Sequence, residues 1–230
     1  CACFGGIPGL ANFFTAPEIL ERVYRETPST INAENVRPQE RYAAPEGELT
    51  LPAFYNTVYT LPDVVPVDYY APGCPPPVEL IGQAVEAIIK GELPPRGAVF
   101  ASEKPLCETC PRQKGEKKVK EFKRVHEVIP DPEKCLLEQG IICCGPATRG
   151  GCGARCILAN MPCRGCFGAP SNIVDQGAAL AGAIAAMLES KDEGEIRAIL
   201  QKVADPAGTF YRFTLPASLL KARVVKEESA

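Results

Sequence analysis

The chain has 230 residues, 46% of them hydrophobic, and a formal net charge of −3 at pH 7. A chain of this length and hydrophobic content can bury a sizeable core, and its charge balance is not that of a nucleic-acid-binding protein. Its sequence has no apolar run near the roughly 20 residues that cross a bilayer, so we expect a cytoplasmic protein that binds neither nucleic acid nor membrane.

The first segment, CACFGGIPGLANFF over residues 1–14, resembles the end of a buried strand followed by a glycine turn and the start of a helix. Because the chain opens inside this pattern with Cys1 rather than Met, we expect a fragment whose earlier part carries more of a parallel sheet. Residues 16–24 have apolar side chains at helical spacing, with Pro17 and Glu18 in the first turn, and predict a short helix. Residues 28–51 show no sustained period and are predicted to form a loop.

A ligand-binding corner is predicted in the next segment. Residues 64–70 are β-branched and aromatic and predict a short or edge strand, because Pro66 lacks an N–H. A proline-rich turn with Cys74 follows, and residues 78–90 have the apolar period of a helix. The N–H groups at the start of such a helix favour the binding of an anion. A metal cluster bound by cysteine thiolates carries net negative charge and would be such an anion. Cys1 and Cys74 would both lie at the carboxyl ends of strands and could converge on one site.

Nine cysteines lie between residues 107 and 166, and eight of them form two sets of four that each contain a C-x-x-C pair. The two sets are Cys107, Cys110, Cys135 and Cys143, and Cys152, Cys156, Cys163 and Cys166. A 4Fe–4S cluster needs four thiolates, and C-x-x-C lets two of them reach adjacent irons from one tight turn. Glycines and prolines between the cysteines allow unusual backbone angles and bring N–H groups close to sulfur. The region therefore predicts two cubane clusters.

Other uses of these cysteines compete with clusters. Zinc sites use the same C-x-x-C spacing, and the density of glycine and proline favours iron and sulfur over zinc. Disulfides fit less well, since cysteines this closely spaced make poor long-range cross-links. A set of free buried thiols does not account for so many cysteines in so short a run.

The C-terminal part predicts packing helices. Residues 173–190 are rich in alanine, with Gly177, Ala181 and Ala185 on one helical face, and predict a core helix. Residues 195–203 predict a second, shorter helix. Beyond Pro206 we expect a short amphipathic piece that runs into a disordered end at residues 226–230.

Several motifs make the chain similar to a known family. CAxxGG at 1–6, PGCPP at 72–76, CLLEQGIICCGPATRGGC at 135–152 and PCRGCFG at 162–168 resemble the small, electron-transferring subunit of NiFe hydrogenases. GGIPGLAN at 5–12 and VDYYAPGCPPP at 67–77 resemble the cytoplasmic methyl-viologen-reducing type found with heterodisulfide reductase. The resemblance implies an α/β fold, with a flavodoxin-like partial parallel sheet over residues 1–100. An irregular, helix-containing iron-sulfur domain would follow over residues 101–230.

The resemblance implies three 4Fe–4S clusters in a row. Cys1 and Cys74 would be two of the four proximal ligands, the other two lying in an N-terminal C-x-x-C that this sequence lacks. Cys3 fits the motif less well than Cys1.

The downstream cysteines match the other two clusters. Cys152, Cys163 and Cys166 match the medial ligands, and Cys156 is an addition that would complete a full cubane. Cys107, Cys110, Cys135 and Cys143 match the distal ligands. Cys107 stands where many relatives have a histidine. Cys144 is interpreted as a bystander, although a swap with Cys143 stays open.

The resemblance implies that the chain is a subunit of an oxidoreductase that acts in methanogenesis. It implies no catalytic residues in this chain. Electrons from H2 oxidation at a NiFe large subunit would pass through the clusters to an acceptor subunit linked to heterodisulfide reductase. Two alternatives remain at this point. One is a complex I-like subunit that shares the GG and PGCPP elements and holds a single cluster, and the other is a zinc-binding interaction module.

Overall fold

This computed structural model describes residues 3–116 and 118–221. Within them, two compact units are distinguished: a larger one of residues 3–10 with Tyr59–Lys221, and a smaller one of residues 11–58. The α-helices are α1 Ala16–Glu21, α2 Val78–Lys90, α3 Leu106–Thr109, α4 Arg155–Leu158, α5 Gln176–Met187, α6 Glu193–Gln201 and α7 Pro206–Phe210. The strands are β1 Arg41–Ala44 and β2 Gly47–Thr50. 3₁₀-helices lie at Ile7–Phe13, Leu61–Asp63 and Gly145–Ala147, and a π-helical turn lies at Arg22–Glu26.

In the smaller unit, α1 begins at a capping box. The Glu18 N–H donates to Thr15 Oγ1 at 3.4 Å, and the Thr15 N–H donates to the Glu18 carboxylate at 2.8 Å. These reciprocal bonds satisfy two N–H groups that a helix start leaves without partners. The helix continues into the turn Arg22–Glu26, so the helix predicted at 16–24 is confirmed.

The loop predicted over residues 28–51 is wrong for its second half. β1 and β2 form an antiparallel hairpin in which Arg41 pairs with Thr50 and Ala44 with Gly47. Its strand residues are almost all exposed, so the alternation of apolar and polar residues that reveals a half-buried strand is missing. Pro45 suits the first central position of the turn that joins the strands.

In the larger unit, the predicted strand at 64–70 is reduced to one parallel bridge. The Tyr70 N–H donates to Ala98 O at 3.0 Å, and the Phe100 N–H donates to Tyr70 O at 2.8 Å. α2 lies between these two segments, and its predicted span is confirmed. The mixture of helices and a small sheet agrees with an α/β class, but over residues 3–116 and 118–221 no named strand belongs to a flavodoxin-like parallel sheet.

The core of the larger unit lies between the cysteine-rich loops and α5. Leu180, Ile184 and Met187 form the buried face of α5, and Leu136 and Ile141 of the loops join the same cluster. α5 packs against the turn Gly145–Ala147 and against α7. The helices predicted at 173–190 and 195–203 are confirmed in kind as α5 and α6.

Among the described residues, no helix has both the length and the apolar character that crossing a bilayer requires. The disorder predicted for residues 226–230 falls outside the described part of the chain.

Candidate cluster-binding site

The predicted distal cysteines meet in one small cavity. Cys107, Cys110, Cys135 and Cys143 all line it, together with leucine and isoleucine side chains, Gly145 and Arg112. The eleven described cysteines form no disulfide bonds with one another, so these four are available as thiols. A sequence that spreads the four over 37 positions is thus folded so that they face a common space.

Backbone hydrogen bonds hold these cysteines in place. Cys107 lies in α3, whose first N–H, that of Leu106, donates to Thr148 O at 2.7 Å. The Cys135 N–H donates to Gln113 O at 2.9 Å, three residues after Cys110. Cys143 lies just before the turn Gly145–Ala147, which packs on α3 and α5. The segments that carry the thiols are therefore held together by hydrogen bonds and packing between them.

Burial raises the pKa of two of these thiols, Cys107 and Cys143. Burial, followed by the neighbouring Cys143, Cys135 and Cys110 sulfurs, raises the pKa of Cys107 to about 12. Burial also raises the pKa of Cys143, although the N–H groups of Gly145 and Cys163 donate to its Sγ. Metal binding at this cavity must therefore displace protons from sulfur.

The donor chemistry of the cavity, four thiols among apolar side chains, suits a multi-iron cluster. A Cβ at Gly145 would lie 3.1 Å from Cys107 Sγ and 3.7 Å from Cys143 Sγ, so glycine is needed to keep this space clear. Within the described residues, no three His, Cys, Asp or Glu side chains are grouped as the ligands of a single metal ion. The four distal thiols nevertheless line one cavity. Four thiolates are the number that a cubane needs, because each of its cysteines binds a different iron.

Two of the predicted medial cysteines, Cys152 and Cys156, lie close to a third, Cys166. Burial, followed by the nearby Cys156 and Cys152, raises the pKa of Cys166 to about 11. Cys156 lies in α4, and the helix is entered through Ala154, whose φ of 51° is in the left-handed region. The turn lies between Cys152 and Cys156, the two cysteines that act on Cys166.

Cys163, predicted as a medial ligand, lies beside the distal cysteine Cys143. Its N–H donates to Cys143 Sγ at 3.3 Å, and its carbonyl accepts from the Cys144 N–H at 3.0 Å. Burial, and then Cys143 and Cys144, raise the pKa of Cys163 well above its ordinary value. Its assignment to the medial cluster stays a prediction.

The proximal cysteines are only partly described. Cys74 lies in the exposed turn before α2, and its backbone N–H donates to Cys166 Sγ. Cys3 is half-buried, and its thiol donates to Ala71 O at 3.8 Å. Cys1 lies outside the described residues, so the proximal pair Cys1 and Cys74 stays a prediction.

Cys144 points away from the distal cavity. Its Sγ donates to Thr209 O in α7 at 3.9 Å, and burial raises its pKa to about 12. Cys144 is not among the residues that line the cavity, whereas Cys143 is. The placement supports the choice of Cys143 as a ligand and Cys144 as a bystander.

A buried polar network behind the cysteines was missed from the sequence. Gln176 Nε2 donates to Thr148 Oγ1 at 3.0 Å and to Gly165 O at 3.2 Å, and Thr214 Oγ1 donates to Gln176 Oε1 at 3.0 Å. Thr148 Oγ1 in turn donates to Cys144 O at 2.6 Å. The network joins the two cysteine loops to α5. Its only signal in the sequence is a glutamine at the start of an alanine-rich helix.

An ion pair fastens the ends of the medial loop. Arg149, whose side chain is 4% exposed, pairs with Glu103, and its Nε donates to Ala169 O at 3.2 Å. Glu103 also accepts the Ser171 N–H at 3.1 Å. The Ser171 bond and then Arg149 hold the pKa of the Glu103 carboxyl below its usual range. Both ends of the loop from Arg149 to Ser171 therefore meet at one carboxylate.

Comparisons with known proteins agree on one kind of relative. The chain is 41% identical over 231 residues to the iron-sulfur subunit of an F420-non-reducing hydrogenase of Archaeoglobus profundus, covering 98% of this chain and 71% of that protein. It is 40% identical over 226 residues to a vhu subunit of the F420-non-reducing hydrogenase of Methanococcus voltae, covering 97% and 69%. A shorter match, 36% over 106 residues, covers 46% of this chain and 35% of the delta subunit of sulfhydrogenase 2 of Pyrococcus furiosus. No protein-family model matches the chain.

Proposed function

The chain belongs to the family of F420-non-reducing hydrogenase iron-sulfur subunits, and from this premise we propose that it relays electrons within a NiFe hydrogenase. The electrons come from H2 oxidation at a large subunit and pass through three 4Fe–4S clusters to an acceptor subunit. When bound, each cluster takes up and passes on one electron. The residues of this chain hold and separate the clusters and set their potentials.

One observation carries the proposal. Four cysteines predicted as a ligand set from spacing and resemblance line a single cavity that glycine keeps open. A complex I-like subunit with one cluster has no use for this second set, and the relatives are named as hydrogenase subunits. A zinc module would need thiols that meet at one ion.

The three predicted ligand sets are linked through short backbone contacts, which supports a relay. The Cys163 N–H reaches Cys143 Sγ, so the medial set adjoins the distal one. The Cys74 N–H donates to Cys166 Sγ, so the proximal set adjoins the medial one. Short separations between redox sites favour electron transfer, because electronic coupling falls steeply with distance.

The finer features of the fold and the partners belong to the same proposal. We assign the parallel pair of Tyr70 and Val99, with α2 between them, to a flavodoxin-like sheet in residues 1–100. The iron-sulfur domain would then occupy residues 101–230. The relatives are named as subunits of hydrogenases, which supports a large subunit as one partner. An acceptor linked to heterodisulfide reductase and a cytoplasmic location are our further expectations.

The test is the metal content of the chain, purified without oxygen together with the subunits that bind it. We expect about eight iron atoms and as much acid-labile sulfide for the distal and medial sets alone, since each cluster holds four irons. Cys135→Ser should remove about four of these irons, and the matched variant Cys144→Ser should remove none. Stoichiometric zinc without iron, or equal loss in both variants, would refute the proposed function.

A further inference from the structure

Arg112 is a buried cation beside the distal cysteines. It follows Cys110 by two residues, is 5% exposed, and lines the same cavity as the four distal thiols. Its place is set by the neighbouring Gln113, whose N–H donates to Glu133 O at 2.7 Å and whose carbonyl accepts from Cys135. This pairing fixes the backbone next to Arg112.

The outer nitrogens of Arg112 bind only neutral oxygens. Nη1 donates to Asp131 O at 2.7 Å and to Lys134 O at 2.8 Å. Nη2 donates to Asn160 Oδ1 at 2.6 Å and to Ile157 O at 3.4 Å. None of these bonds brings a carboxylate to the guanidinium, so its positive charge is buried without a protein anion bonded to it.

One N–H of Arg112 has no partner. A guanidinium has five N–H groups, and the four bonds above use the Nη atoms. The Nε atom is buried and has no hydrogen-bond partner. A buried charge and a buried donor that both stay unsatisfied are costly, and native proteins rarely keep both at one side chain. An acceptor that also carries negative charge would satisfy both the Nε–H and the buried charge.

We propose that Arg112 is the positive charge and hydrogen-bond donor that faces the distal cluster and raises its reduction potential. This inference rests on the proposed function, because the partner is the cluster held by Cys107, Cys110, Cys135 and Cys143. A cluster with four thiolates carries net negative charge, and reduction adds another electron. A buried cation and an N–H bond to sulfur favour the reduced form more than the oxidised one. Arg112 acts as a positioning and tuning residue, and the electron does not pass through it.

The chain offers two matched controls. Arg37 is the other described arginine with a buried Nε that lacks a partner, but it pairs with Glu21 in the smaller unit. Lys114 lines the same cavity as Arg112, its Nζ donates to Cys107 O, and its charge works against the burial that raises the pKa of Cys107. Its side chain is exposed, so solvent screens its charge more than that of Arg112. Arg37→Met should leave the distal potential unchanged, and Lys114→Met should shift it less than the Arg112 variant does.

The experiment is a redox titration followed by electron paramagnetic resonance on the full chain in its complex. The distal wave is identified as the one lost in Cys135→Ser. In Arg112→Met we expect the midpoint potential of this wave to become more negative by at least about 59 mV. For a one-electron couple this shift is a tenfold change in the ratio of reduced to oxidised cluster at a given potential. In Arg112→Lys, which keeps the charge but not the guanidinium donors, the shift should be smaller.

The outcomes separate this inference from the proposed function. Absence of iron from the unmodified chain would refute the function itself. If every variant contains clusters but the distal wave does not move in Arg112→Met, only the role of Arg112 is overturned. If Arg112→Met loses the distal wave altogether, Arg112→Lys decides: a recovered, slightly shifted wave supports the charge. Loss in both variants would show that the four Nη bonds matter and would overturn the proposal.

Discussion

Gly145→Ala tests whether the cavity between the distal cysteines is the space that a cluster fills. The new Cβ would stand 3.1 Å from Cys107 Sγ and 3.7 Å from Cys143 Sγ. The first distance is shorter than an ordinary contact, so the thiol must move by several tenths of an ångström. The φ of Gly145 is not in the left-handed region, so the substitution tests the space and not backbone strain.

Overpacking of this kind costs roughly 1–3 kcal/mol in a packed core. The alanine restricts the unfolded chain and returns about 0.4–1 kcal/mol. The net cost is therefore about 0–2.6 kcal/mol, combining the two effects. If this strain is borne by the cluster-bound state, affinity for the distal cluster falls by roughly tenfold for each 1.4 kcal/mol.

The assay is iron and acid-labile sulfide per chain after anaerobic reconstitution with limiting iron. Gly145→Ala should lose the distal cluster first, about four irons, while the medial signal persists. Gly182→Ala in α5 is the matched control, because a Cβ there meets nothing within 4 Å. It should retain full iron. If Gly145→Ala binds iron as the control does, with an unchanged distal spectrum, the cluster does not occupy this cavity.

Three further variants or conditions follow from the same geometry. Cys156→Pro should convert the medial cluster to a three-iron form, because it removes the added thiolate and proline is tolerated in the first turn of α4; an unchanged paramagnetic resonance spectrum would count against Cys156 as a ligand. Gln176→Leu should destabilise the chain by roughly 1–3 kcal/mol, since it removes the acceptor of the buried Thr214 hydroxyl and the donor to Thr148 Oγ1. Thermal unfolding measures this effect, and the exposed Gln83→Leu should show almost none. Because burial raises the pKa of Cys107 to about 12, the thiol is protonated at neutral pH and must release its proton to iron. Cluster assembly should therefore release protons and strengthen as pH rises from about 6 to 9, about tenfold per pH unit for each such thiol; pH-independent assembly would mean that the ligands are already thiolates.

Local features of the chain were predictable because short segments decide them. The apolar period of α2 and the alanine-rich run of α5 predict helices with correct positions. The hairpin of β1 and β2 was missed because its residues face solvent and carry no alternating pattern. The strand at 64–70 was overestimated, since only Tyr70 pairs among the described residues and a lone bridge leaves no periodic signal.

The cysteine sets show the same division. Spacing and resemblance placed Cys107, Cys110, Cys135 and Cys143 in one set, and the structure brings them to one cavity. The position of Cys163 beside Cys143 was not predictable, since it depends on a contact between two loops 20 residues apart. The burial of Arg112 was equally hidden, because a basic residue in a run of lysines is typical of a solvated loop.

The sequence alone determined how many thiols there are, which of them can share a tight turn, and the family to which the chain belongs. These properties depend on residue identity and on neighbours within a few positions. Only the tertiary structure decided which loops meet, that Arg112 is buried with an unpartnered Nε–H beside the thiols, and that Gln176 joins both cysteine loops. Burial and long-range hydrogen bonds arise from the packing of distant segments, and no short stretch of sequence contains that information.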